Sequence, residues 1–148
     1  MNNMEILSSI VAAEEDEYVA VGESQEPLEE WSGIQKRGLD TAKIVMLHCL
    51  LTGEELDLAL TSYEPVYVSE EAGTLVLRIA SAAVEKLASL DEEALEQVAE
   101  ELAATEEFEV EQWDADDVLT LIMELADLAC LAESQGQVLF VLMQPMQG

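Results

Sequence analysis

WDADDVLTLIMELADLACLAESQGQVLFVLM, residues 113–143, holds both kinds of element from which the chain is built. Asp114 is placed to cap a helix whose first turn carries Asp116 and Asp117, where the helix dipole favours carboxylates. Trp113 and Val118 flank that cap at the spacing of a hydrophobic staple. From Ala115 to Gln135 the pattern is apolar around most of the helix circumference, with Thr120, Glu124, Asp127 and Ser134 as a narrow wet edge. Gly136 supplies the left-handed residue that ends it. A helix this apolar needs cover on several sides, so it is predicted to be central. The run Val138-Leu139-Phe140-Val141-Leu142-Met143 then reads as a strand covered on both faces.

Working outward, Leu39 to Leu51 is a second, mostly apolar helix with a thin polar stripe through Thr41, His48 and Thr52, stopped by Gly53. Val66 to Val68 and Thr74 to Ile79 read as a hairpin around Ser69-Glu70-Glu71-Ala72-Gly73, with Pro65 at its entry. Ser81 to Leu90 and Asp91 to Ala104 read as two helices, the second opened by a capping box between Ser89 and Glu92. In that second helix Leu95, Val98, Ala99 and Leu102 share one face, while Glu92, Glu93, Glu96 and Glu100 cover the outer side. Tyr18 to Val21 is a further strand candidate, and Gly22 to Glu30 a surface loop or short helix start. No internal repeat is evident. The expectation is one α+β domain over residues 1–148, mainly helical, with four to five helices on a small sheet of three to four strands. Residues 1–33 form a less regular acidic segment within it.

Thirty-three Asp and Glu against five Lys and Arg give a formal charge of −28 over 148 residues. Residues 1–33 hold nine acids and no base, and residues 85–117 hold fourteen acids against Lys86. A folded monomer of this mass exposes roughly 7,500 Å², so each net charge serves about 270 Å². B-DNA carries one phosphate charge per roughly 110 Å². The chain is therefore a nucleic-acid mimic only if its acids gather on one face. A field of this sign excludes nucleic acid and anionic membrane surfaces as partners and leaves basic proteins. Half the residues are apolar, which removes the composition of a disordered chain. No apolar run reaches the length of a membrane span, and Met1 to Val11 lacks a positive n-region, so the cytoplasm is the expected compartment. Cys49 and Cys130 fall inside apolar helical patterns with no CxxC spacing, and read as two reduced core thiols.

His48 is the single histidine, so any imidazole chemistry must use it. No second imidazole completes a zinc or di-iron pattern, and the calcium-loop spacing is missing, so no metal or cofactor is expected. Its place on a polar stripe suits a hydrogen-bonded structural histidine, with a role beside a carboxylate as the weak catalytic candidate. The carboxylate runs are Glu14-Glu15-Asp16-Glu17, Glu106-Glu107 with Glu109 and Glu111, and Asp114-Asp116-Asp117, none marked by its surroundings as buried. No P-loop, dinucleotide glycine pattern, nucleophile elbow or HExxH occurs. Trp31 beside Glu29 and Glu30 can anchor a basic partner if exposed, or pin a helix entry if buried. With Glu93, Glu96, Glu100 and Glu107 these form the candidate binding residues.

Trp31, Lys36-Arg37-Gly38-Leu39-Asp40, Lys43, Leu47-His48-Cys49-Leu50-Leu51-Thr52-Gly53 and Ala104-Thr105-Glu106-Glu107-Phe108 resemble, in order and spacing, a family of small uncharacterised bacterial proteins with the pattern W-x-x-K-G-x-D, then A-T-E-E-F and a final apolar strand. The Leu-His-x-Leu-Leu-Thr-Gly piece is also similar to the YfbM-like domain of unknown function. The resemblance implies an α+β fold and a bacterial origin, and transfers no catalytic residue. Three functions follow from the sequence: an acidic, non-enzymatic interaction domain for a basic protein, of immunity or inhibitor type; a small enzyme using His48 with a carboxylate; or an acidic structural protein with no charge-specific partner. The first is favoured, with self-pairing through a strand edge left open.

Overall fold

The computed structural model describes residues 6–24, 26–71, 73–109 and 113–145. Its strands are β1 (Ile6–Ala13), β2 (Ser32–Arg37), β3 (Tyr67–Ser69), β4 (Thr74–Arg78) and β5 (Val138–Pro145). Its helices are α1 (Tyr18–Glu23), α2 (Pro27–Glu30), α3 (Thr41–Thr52), α4 (Leu56–Thr61), α5 (Ser81–Ser89), α6 (Glu92–Ala103), α7 (Glu106–Glu109) and α8 (Ala115–Gln135). The chain is an α+β domain with more helices and strands than the sequence pattern resolves.

The strands form one antiparallel sheet in the order β2-β1-β5-β4-β3. β5 is the middle strand, which explains its unbroken apolar run. Side chains alternate across a strand, so Leu139, Val141 and Met143 join the main core while Phe140 and Leu142 join a second cluster on the other face. β1 alternates in register with it: Ile10 lies opposite Val141 and Val11 opposite Phe140. Against the first face pack α3, α5, α6 and α8, and the fully buried Leu121, Ile122 and Leu125 of α8 sit among their side chains. The second face carries α1 and α2. Val21 of α1 packs with Val11, Val76, Phe140 and Leu142, and Gly22 passes so close to Tyr67 that a Cβ there would lie 2.2 Å from its ring.

Local chemistry sets the ends of the long helices. Asp40, Asp91 and Asp114 each accept a backbone N–H of the first turn, from Lys43, Ala94 and Asp117. Gly53 and Gly136 close α3 and α8 at φ 76° and 68°, the left-handed region where a side chain is disfavoured.

Four sequence expectations are corrected. The cap of α6 is Asp91, not Ser89, whose hydroxyl instead donates to the Lys86 carbonyl. Tyr18 to Val21 is helix, because the turn Glu15–Glu17 feeds it directly into α1 and only Val21 and Gly22 of α1 are buried. Residues 6–24 and 26–33 fall mostly in regular elements, and β1 lies inside the sheet between β2 and β5. Its two serines disguised it. Ser8 donates its hydroxyl to the Leu39 carbonyl and Ser9 accepts from Gln35 Nε2 at 3.0 Å, so both are buried without loss of hydrogen bonding. Finally, Cys130 is exposed and Cys49 is half-buried; both are free thiols.

No helix among the described residues is long and apolar enough to cross a membrane. Ala72, within the expected hairpin turn, and Glu111, within an expected carboxylate run, lie outside the described residues.

Candidate functional site

Five cations among thirty-three acids leave few ways to balance charge, and Lys36, Lys43 and Arg78 each meet a carboxylate of the chain. Lys36 on β2 meets Glu124 of α8 at 2.7 Å. Lys43, in the first turn of α3, is buried, with Nζ 3.6 Å from Asp40 and 5.8 Å from the Phe108 ring centroid. That geometry suits a cation over the negative face of an aromatic. Arg78, the last residue of β4, donates to Glu15 at 2.9 Å. At α2 two carboxylates outside these pairs, Glu26 and Glu29, crowd each other. Glu29 is raised above the usual carboxylate range, first by its side-chain hydrogen bond with Glu26 and then by the charge of the same group.

His48 sits inside the helical layer, 2% exposed. Its Nδ1 lies 3.0 Å from the Tyr63 hydroxyl, with the rings edge-on at 5.2 Å. The Tyr63 oxygen also accepts the Ala80 N–H at 3.2 Å. Nε2 faces a Glu54 carboxylate oxygen 3.5 Å away without completing a hydrogen bond. Burial pushes the Tyr63 phenol up to about 12, partly offset by the Ala80 amide. Burial also pushes the Cys49 thiol up, with Glu54 adding to it. This set ties α3, the turn after α4 and the start of α5 into one unit. His48 and Tyr63 are buried within it, and Glu54 is its exposed member.

Two clefts are lined wholly by described residues. The smaller, about 280 Å³, lies beside the start of α3 between Ile6, Leu75 and Met143. The larger, about 790 Å³, opens at the end of the sheet where β1 gives way to the turn before α1. Phe140 is its floor, Tyr18 and Val66 form apolar walls, and Glu14, Glu15 and Asp16 stand at its lip with Arg78. His48 lines neither cleft.

The residues expected to bind are not gathered into one site. Trp31 is half-buried against the second-face cluster, with Nε1 3.4 Å from a Glu17 oxygen. It pins the junction of α2 and β2 and leaves only part of its ring outside. Glu29 and Glu30 are exposed on α2, and Glu30 accepts the Ser24 hydroxyl. Glu93, Glu96 and Glu100 are exposed on α6, which packs in the layer on the opposite side of the sheet through Val98, Ala99 and Leu102. The Glu107 side chain lies outside the described residues. Trp113, the other tryptophan, packs edge-on against Phe108 at 5.3 Å, as a helix entry pinned by an aromatic requires.

Sequence reasoning did not find the larger cleft. Arg78 closes a strand, Phe140 reads as core and Glu14 to Asp16 as a solvated run; only the pairing of Arg78 with Phe140 across β4 and β5 brings them together. No group of three or more His, Cys, Asp or Glu side chains among the described residues is arranged to hold a metal ion. No protein-family model, curated protein or solved structure matches the chain.

Proposed function

We propose that this chain is a non-enzymatic acidic interaction domain whose partner is a basic protein, in the manner of an inhibitor or immunity protein. One observation carries the reading: Lys36, Lys43 and Arg78 are engaged with carboxylates of the chain itself, while acids on α1, α2 and α6 and in the loops stand exposed. Such a surface raises encounter rates with a cationic partner and makes them fall with salt. The acids occupy both sides of the sheet, which suits a partner drawn by the whole field more than a mimic of a regular phosphate array. The burial of His48 against Tyr63, away from both clefts, weighs against the imidazole as the working group. The proposed kinship with small uncharacterised bacterial proteins and the YfbM-like domain belongs to the same reading, and the α+β class agrees with it.

The test is affinity capture by the immobilised chain at low and high salt, followed by reconstitution of what is retained from purified components. The reading predicts a basic protein that binds directly at low salt and elutes as salt rises. Recovery of no directly binding basic protein at low salt contradicts it.

A further inference from the structure

The larger cleft combines an apolar interior with a cluster of exposed acids, which the smaller cleft lacks. Tyr18 and Val66, 38% and 40% exposed, line it together with the buried Phe140. Exposed apolar walls in a recess of this size are what a docking side chain or segment covers. The lip determines the sign of what enters. Glu14 and Asp16 are exposed there, and the one cation at the rim, Arg78, is bound to Glu15. Acidic segments meet the carboxylates of Glu14 and Asp16 at the entrance. A second copy of the chain brings another −28 charge to the same place. A lysine or arginine side chain satisfies both parts, with its aliphatic stem on the apolar walls and its charged head at the lip.

We infer that this cleft is where the basic partner docks, through an extended segment that alternates cationic and aliphatic side chains. The inference rests on the proposed function and places it at one end of the sheet. β3 strengthens the placement. It is the terminal strand of the sheet next to β4, and its Tyr67 belongs to the same face as Phe140. A segment leaving the cleft along this face meets Tyr67 at the sheet's end strand.

The experiment measures binding of a fluorescein-labelled peptide of alternating lysine and leucine to the full chain at low salt, with amide chemical shifts recorded on titration. Oligolysine of equal charge and spermine serve as comparison probes. The lip variant Glu14→Gln/Asp16→Asn is set against Glu96→Gln/Glu100→Gln, which removes the same charge from the opposite side of the sheet. The inference predicts that the alternating peptide binds more tightly than oligolysine and shifts the amides of Tyr18, Val66 and Arg78. It also predicts that the lip variant weakens this binding about tenfold, the scale of two partly desolvated charge pairs, and the α6 variant much less. Equal losses from both variants, equal binding of oligolysine or spermine, or shifts confined to other surfaces overturn the cleft while leaving the acidic reading standing. No binding of any cationic probe at low salt overturns both. The shift map on the unaltered chain decides the matter even if the lip variant folds poorly.

Discussion

Tyr63 couples the buried imidazole to the backbone of another element, and pH reports on it directly. Its phenol ionises at about 12 in the folded chain against an ordinary value of 10.0. Between those values the unfolded state holds fewer protons than the folded one, so stability falls as pH rises through that window and is intact below it. The loss is at most about 3 kcal/mol. Tyr63→Phe should lower stability at neutral pH by about 1–3 kcal/mol, because His48 Nδ1 and the Ala80 N–H lose their partner. It should also abolish its share of the alkaline loss, so that the two unfolding curves converge as pH rises. Urea unfolding of both proteins at neutral and alkaline pH measures this. A constant difference between them at every pH contradicts the assignment.

At the scale of elements, the caps and close approaches should be separable by single changes. Asp114→Ala should cost about 1 kcal/mol by releasing the Asp117 N–H at the start of α8. Gly22→Ala should cost about 1–3 kcal/mol, since its Cβ meets the Tyr67 ring and must displace either α1 or β3. Thermal unfolding of each checks the values, and a neutral Gly22→Ala would mean that α1 is not seated on the sheet as described.

The same elements show what was legible in the sequence. α8 with Gly136, α3 with Gly53 and the β3–β4 hairpin declare themselves through unbroken apolar period and stop signals. β5 does so through a run with no polar residue. β1 and β2 do not. Ser8 and Ser9 break the apolar alternation of β1, and their polarity is satisfied only by Leu39 and Gln35, distant in sequence. β2, Ser32-Gly33-Ile34-Gln35-Lys36-Arg37, is a sheet edge whose polar residues look like loop until Lys36 finds Glu124. The larger cleft was illegible for the same reason, since strand pairing and not spacing brings Arg78 to Glu15. His48 was read as a structural histidine, but its partner Tyr63 lies in the turn after α4, where no periodicity points.

For the molecule as a whole, a charge of −28 on one compact domain is a source of self-repulsion as well as attraction. Adding sodium chloride should therefore raise the unfolding midpoint, most steeply up to about 0.1 M, where the screening length falls to about 10 Å. A midpoint that falls over that range would mean that pairs such as Lys36–Glu124 outweigh the repulsion. The exposed acids occur on both sides of the sheet, so the long-range field belongs to the whole surface, while the apolar cleft supplies the short-range contact. The measurement that tests this division most directly is the association rate of the reconstituted complex as a function of ionic strength. The account predicts an on-rate that drops steeply with added salt while dissociation changes little. An on-rate indifferent to salt would contradict it.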